Sequence, residues 1–229
     1  MAKPERRPVI VVTGLAFEAR IAAGEGVVVV HGRDERQMIA DLERAVAAGA
    51  SGIVSFGTAG GLAPHLAPGD WVTAEAVITE TERWPTDPAW SAELLHRLSD
   101  ATHAAMVSVD TPVGGAPAKL ALHARTAAAA VDMESHIAAR VAIAHGLPFA
   151  VCRVVIDPAH RTLPHAALVS MRPDGGVNLP ALLGSLARRP SQLPVLLRLA
   201  MDARAARSAL LRGRRLLGTG FAFPDFPEL

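Results

Sequence analysis

A single cysteine, Cys152, in 229 residues excludes an intramolecular disulfide framework and suits a reducing compartment. Neither charge is in excess. The 23 Lys and Arg stand against 22 Asp and Glu, so bulk attraction to nucleic acid is not indicated. Aromatic residues make up only 4% of the chain, few for the stacking platforms that single-stranded nucleic acid requires. No apolar run approaches the ~20 residues of a spanning helix. After the basic stretch Met1 to Arg7, the segment Val9 to Thr13 is too short for a secretory core. These absences leave a soluble, cytoplasmic α/β protein as the expectation, and a chain that is 50% hydrophobic can build one domain with a substantial core.

The even charge balance hides an asymmetry. Between Ala181 and Gly218 lie eight arginines (188, 189, 198, 204, 207, 212, 214 and 215) and one acid, Asp202. A basic tail therefore follows an acidic body, and the expected division is residues 1–178 as the chemical unit and 179–229 as a Leu/Arg-rich helical segment with an extended tail packed on it. Leu196, Leu199, Ala203, Ala206, Leu210 and Leu217 fall near one helical stripe, with most arginines off it. Arg214 breaks that pattern, and Gly213 is expected to end the helix before it. The segment reads as a solvated helical surface, as a peripheral contact with an anionic membrane, or, least well, as a nucleic-acid contact. The closing residues, with Phe221, Phe223 and Phe226, read as an extended docking tail.

Short β-branched runs alternate with alanine-rich stretches, the pattern of strands interleaved with helices. Strands are expected at Val9 to Thr13, Val27 to His31, Ile53 to Phe56, Trp71 to Thr79, Met106 to Val109 and Phe149 to Ile156. A turn around Gly24 and Gly26 separates the first two. Helices are expected from Asp34, as N-cap, to Ala48, from Ala89 to Ala104, from Ala118 to Ala130 and from Glu134 to His145. Val131 to Met133 reads as a short extended piece. Phe149 to Ile156 is apolar apart from Arg153, as in a strand buried on both faces.

Four strand ends carry residue types that chemistry uses, and ligands of α/β sheets gather at such ends. Gly14 to Glu18 is either a ligand turn or a strand-to-helix turn with an acid favoured by the helix dipole. Gly57-Thr58-Ala59-Gly60-Gly61 lacks dinucleotide-fingerprint spacing; it is a loop offering N–H groups to an anion or sugar oxygen, or a plain turn. Asp132-Met133-Glu134-Ser135 enters a helix, where Glu134 can accept hydrogen bonds from vicinal hydroxyls and Met133 can pack on a ligand. Asp157 follows a buried strand and is pinned by Pro158, so that poor solvation can raise its pKa and make it a proton donor.

The segments VSFGTAGGLAPHLAPGDWV and AVDMESHIAARVAIAHGLPFAVCRVVID resemble the nucleoside phosphorylase and nucleosidase superfamily over roughly residues 9–160. The opening VVTGLAFEARIA and the Leu/Arg-rich C-terminal segment resemble more narrowly the hopanoid-associated phosphorylases, which act on adenosylhopane. The resemblance implies a three-layer α/β/α fold with a mixed central sheet, no cofactor beyond inorganic phosphate as co-substrate, and a homo-oligomer, most simply a dimer. It assigns Asp157 to protonate the leaving purine, and Glu134 with Met133 to hold the ribose hydroxyls. Gly14, Gly57, Thr58, Ala59 and Gly60 would line the nucleophile side, and Glu18 matches the acid that activates water in nucleosidases.

The stretch VDTPVGG, with Asp110, Pro112 and Val113, matches the base-binding segment but lacks its stacking aromatic ring. Ser55 and Phe56 stand where one phosphorylase branch places a phosphate-binding arginine. A phosphate beside Glu18 would therefore need compensation from Arg20, Arg153 or Lys119. The expectation is adenine release from a 5′-substituted nucleoside with phosphate as acceptor. Hydrolysis of the same bond, or of methylthioadenosine, and a non-catalytic nucleoside-binding or membrane-tethered module are the alternatives. Nine histidines raise the question of a metal site, but His160 and His165 lack the carboxylate companions such a site uses, and no metal is expected. Cys152 reads as a core thiol, and His136 either faces outward or packs near the site.

Overall fold

The computed structural model describes residues 7–32, 34–162, 188 and 192–224. His165, Arg189, Phe226 and the segment from 181 to 187 lie outside the described residues.

Two β-branched runs open the fold. β1 (Val9–Thr13) and β2 (Val27–His31) pair in parallel, and β1 continues in parallel onto β3 (Gly52–Gly61). Between β1 and β2 the chain forms a helix, α1 (Ala16–Ala22), as the strand-to-helix reading of Gly14 to Glu18 has it, and the turn around Gly24 and Gly26 follows that helix. The side chain of Glu18 makes that short helix: from the third helical position it accepts the N–H groups of Leu15 and Gly14 at 3.0 and 3.2 Å, donors that the helix start leaves unpaired. α2 (Glu35–Ala47) follows, with Asp34 accepting the Gln37 N–H at 2.8 Å as its N-cap.

β4 (Trp71–Ile78), β5 (Arg83–Pro85), α3 (Pro88–Arg97) and β6 (Thr102–Ser108) come next. The expected helix to Ala104 overran, because Leu98 leaves helical geometry and Thr102 pairs with Val72 in the sheet. α4 (Ala116–Thr126) is shorter at its C-terminus than expected, since left-handed Ala127 ends it and Ala130 opens β7 (Ala130–Asp132). α5 (Ser135–Ala144), β8 (Phe149–Asp157) and α6 (Leu193–Leu216) complete the described elements.

The sheet is mixed, and five of its strands close a ring. β3 pairs β8, β8 pairs β4, β4 pairs β6, β6 pairs β7, and β7 returns to β3. Helices cover both sides, giving three layers. Ile10, Val12, Ile53, Val151 and Val155 pack with α2 and α5; Val9, Val11, Val54, Cys152 and Val154 pack with α1, α3 and α6. This two-residue alternation makes β1 and β8 apolar on both faces. Cys152 is fully buried, and burial pushes its thiol up to about 12, as befits a packing residue.

The expected end of the C-terminal helix at Gly213 is wrong. α6 runs through to Leu216 because Gly213 lies against the Trp71 ring; a Cβ there would stand 2.2 Å from Trp71 Cζ2. Ala206, Ala209, Leu210 and Leu217 are the buried face. The off-pattern Arg214 turns inward, donating to Ala22 O at 3.0 Å and stacking 4.5 Å over the Phe221 ring. The tail is likewise not extended as far as it is described. Phe221 has a φ of 51°, is fully buried, and meets Phe56 edge-on at 5.1 Å.

Gly213→Ala reverses the usual sign. On an open helix surface the change would stabilise by roughly 1 kcal/mol. Against Trp71 it is expected to cost about 1–3 kcal/mol through overpacking, read as a lower urea midpoint with an unchanged slope. A midpoint that rises would contradict this packing.

Candidate active site

The glycine-rich segment 57–61 is strand rather than loop. The first half of β3 lies between β1 and β8, and its second half lies between β7 and β8. Gly57 is opposite Arg153, and after a bulge Gly60 is opposite Asp157 on one edge and Val131 on the other. The glycines are needed because side chains cross this strand closely. A Cβ on Gly57, whose φ is +150°, would stand 2.7 Å from Glu18 Oε2 and 3.0 Å from an Arg153 nitrogen. A Cβ on Gly14 would stand 2.3 Å from Glu134 Oε1.

Arg153 occupies that space. Its guanidinium is 1% exposed and meets Asp132 at 3.0 Å and Glu134 at 3.1 Å, while donating to Ser55 Oγ at 2.7 Å and to Thr58 O at 3.2 Å. Burial disfavours its charge, but Asp132, Glu134 and Glu18 together outweigh burial and hold it above its ordinary range. Glu18, also 1% exposed, accepts the Thr58 hydroxyl at 2.7 Å and the Thr58 N–H at 2.8 Å. Burial pushes its carboxyl up, opposed by Arg153 and by these hydrogen bonds, with the net effect upward. Ser135 ties Asp132 into the cluster by donating to it, and its hydroxyl stands 2.8 Å from Ser55 Oγ.

Asp157 belongs to a second charge system one bulge further along β8. Its Oδ2 contacts Lys119 of α4, whose ammonium is fully buried. Burial pushes the Asp157 carboxyl up most; Lys119 and Arg161 pull it down, Asp202 pushes it up, and the net direction is upward.

The structure therefore brings Gly14, Glu18, Gly57, Thr58 and Glu134 together around Arg153, with Asp157 reached through Gly60. Ala59 instead packs in the apolar core. An open hollow is lined by Asp110, Met133, Glu134, His136 and Ile137, so Glu134 serves both the Arg153 cluster and the hollow; Glu18 and Asp157 do not line it. His136 is buried, with Nδ1 2.8 Å from Ser108 Oγ and Nε2 3.4 Å from Asp110, and burial lowers its pKa despite Asp132 and Asp110. Pro112 is exposed, and Val113 packs beside Leu62 and Leu122. Among the described residues no three His, Cys, Asp or Glu side chains are grouped to hold a metal ion.

Sequence reasoning reaches Arg153 and Lys119 only as compensation for phosphate, and Asp132 only as part of a helix entry; it misses the pairing of Arg153 with Asp132 and Glu134 and of Lys119 with Asp157. A signal existed: an arginine inside an apolar strand demands buried acids.

A family model described as the phosphorylase superfamily matches residues 3–187. The chain belongs to the phosphorylase superfamily. No curated protein sequence matches it significantly. Solved structures extend the superfamily likeness to the fold. One is the 5′-methylthioadenosine/S-adenosylhomocysteine nucleosidase of Helicobacter pylori, at 13% identity and TM-score 0.66, covering 93% of this chain and 97% of that one. The futalosine hydrolase of H. pylori gives 14% identity and 0.65, covering 92% and 95%. A methylthioadenosine/adenosylhomocysteine nucleosidase from S. pneumoniae gives 14% and 0.62, covering 92% and 99%. As a member of the superfamily the chain is an N-glycosyl hydrolase or pentosyltransferase, a class that works without a cofactor.

Removing the guanidinium leaves three buried acids without their shared cation. Arg153→Met is expected to lower stability by about 3–5 kcal/mol in urea unfolding. A loss within ~0.5 kcal/mol, ordinary for a surface site, would contradict the role of Arg153 as the shared counter-charge.

Proposed function

We propose that the protein cleaves the N-glycosidic bond of a 5′-substituted adenine nucleoside and releases adenine. The observation carrying this reading is the assembly of Glu18 and Glu134 on one buried guanidinium, with Asp157 one strand bulge away. Glu134, with Met133, holds the ribose hydroxyls and faces the positive charge that develops on the sugar. Glu18 and Thr58 orient the nucleophile. Asp157, whose carboxyl burial pushes above its ordinary range, gives its proton to the imidazole-ring nitrogen of the purine as the bond to the sugar breaks. Asp110, Pro112 and Val113 are the proposed base-side residues.

The geometry favours water as the acceptor. Of the three cations that could offset phosphate, Arg20 is exposed, Arg153 is matched by acids and Lys119 is committed to Asp157. Phosphate is the second reading, carried by the resemblance to hopanoid-associated phosphorylases. That resemblance also supports an apolar 5′ group, adenosylhopane, and a homodimer. A peripheral contact at the inner face of the membrane is part of the proposal, with residues 1–178 as the catalytic unit and 179–229 as the accessory segment. No helix among the described residues is long and apolar enough to cross a membrane. The outer face of α6 instead exposes Leu193, Leu197 and Met201 beside Arg198, Arg204 and Arg212.

Two measurements check the proposal. Asp157→Asn is expected to slow adenine release by about 10²–10⁴-fold. A rate near wild type would remove Asp157 as the acid, and a rate that requires phosphate, with sugar phosphate as product, would establish the second reading. Sedimentation with vesicles is expected to show binding to anionic lipid that salt reverses; no binding at low salt contradicts the membrane contact.

A further inference from the structure

The Lys119–Asp157 pair is built beyond what strand-end packing needs. Lys119 is fully buried in the first turns of α4, a place where an ammonium loses its hydration. It recovers that loss from three acceptors at one point of the chain: Asp157 Oδ2, Pro158 O at 3.1 Å and Asp157 O at 3.4 Å. The other carboxyl oxygen, Oδ1, lies on the β3 side, 3.5 Å from where a Cβ on Gly60 would stand. The carboxyl thus spans two surroundings, with a fixed cation behind it and the glycine strand in front. On the remaining side, Arg161 and Asp202 of α6 form an ion pair at 2.5 Å. Asp202 is the lone acid of the basic C-terminal segment, and it is placed where its charge reaches Asp157.

We propose that Lys119 is a positioning residue for proton transfer: it fixes Oδ2, turns Oδ1 toward the leaving base, and steadies the negative charge left on Asp157 when the proton departs. The inference rests on the adenine-releasing reading above. In the step, the Asp157 O–H bond breaks and an N–H bond forms on the purine imidazole ring. The electron pair of the sugar–base bond goes to the base, and the acceptor adds to the sugar carbon, water giving up its proton to Glu18 as its oxygen bonds to that carbon. Burial alone would make Asp157 a carboxylic acid that holds its proton too tightly; the ammonium restores acid strength, and Asp202 limits how far it does so.

The test compares wild type, K119M, K119R and D202N on two probes. 5′-Methylthioadenosine needs its base protonated, whereas 4-nitrophenyl riboside has a leaving group that does not. For K119M, kcat for adenine release is expected to fall at least about 10-fold, with nitrophenol release changed less than about 3-fold. The alkaline limb of its pH profile moves to higher pH, because the pull that favoured ionised Asp157 is gone. K119R keeps the charge and recovers most of the rate. D202N leaves Lys119 and Arg161 unopposed, so its alkaline limb moves to lower pH; this variant carries the test if K119M does not fold. Parallel losses on both probes, no loss on either, or static limbs in the folded variants would overturn the proposal. Wild type that cleaves neither probe would instead refute the adenine-releasing reading itself.

Discussion

A guanidinium sealed inside a sheet has to be answered by carboxylates, and Arg153 gathers three of them from two separate parts of the chain. Asp132 comes from β7, Glu134 from the start of α5, and Glu18 from the first turn of α1. The desolvation cost of such an ion is several kcal/mol, so the arrangement persists only because every acid is held in place by something else. Ser135 holds Asp132, Thr58 and two backbone N–H groups hold Glu18, and the glycine at 14 leaves room for Glu134. The same contacts that lower the cost of the buried cation leave Glu134 at the wall of the open hollow.

The two charge systems along β8 are tuned differently. Around Arg153 the cation keeps an acid-rich cluster compatible with burial, which suits a site facing a developing sugar cation. At Asp157 burial dominates and Lys119 only partly opposes it, which suits a group that must carry a proton and then give it up. Three residues of one strand separate Arg153 from Asp157, and the register shift at Ala59 and Gly60 sets the step between them.

Much of the architecture is legible in the chain itself. β1 and β8 show as β-branched runs because both of their faces are buried, and Asp34 and Gly49 bracket α2 by ordinary capping chemistry. The glycine segment misleads because local composition reads as a loop, whereas close approach of Glu18 and Arg153 is what requires glycine at position 57. Gly213 misleads for the same reason, its partner Trp71 being distant in sequence. The candidate acids stand out by their positions at strand ends. Their shared counter-ion does not, since an arginine inside a strand announces a need for acids without saying which ones. Lys119 is still less visible, for nothing within α4 marks it as facing Asp157.

A crystal structure with a cationic aza-sugar analogue of an adenine nucleoside tests the account most directly. The sugar hydroxyls should lie on Glu134, and the imidazole-ring nitrogen of adenine within hydrogen-bond distance of Asp157 Oδ1. An analogue seated away from Glu134, or one whose base cannot reach Asp157, would contradict the claim that these carboxylates act on one nucleoside.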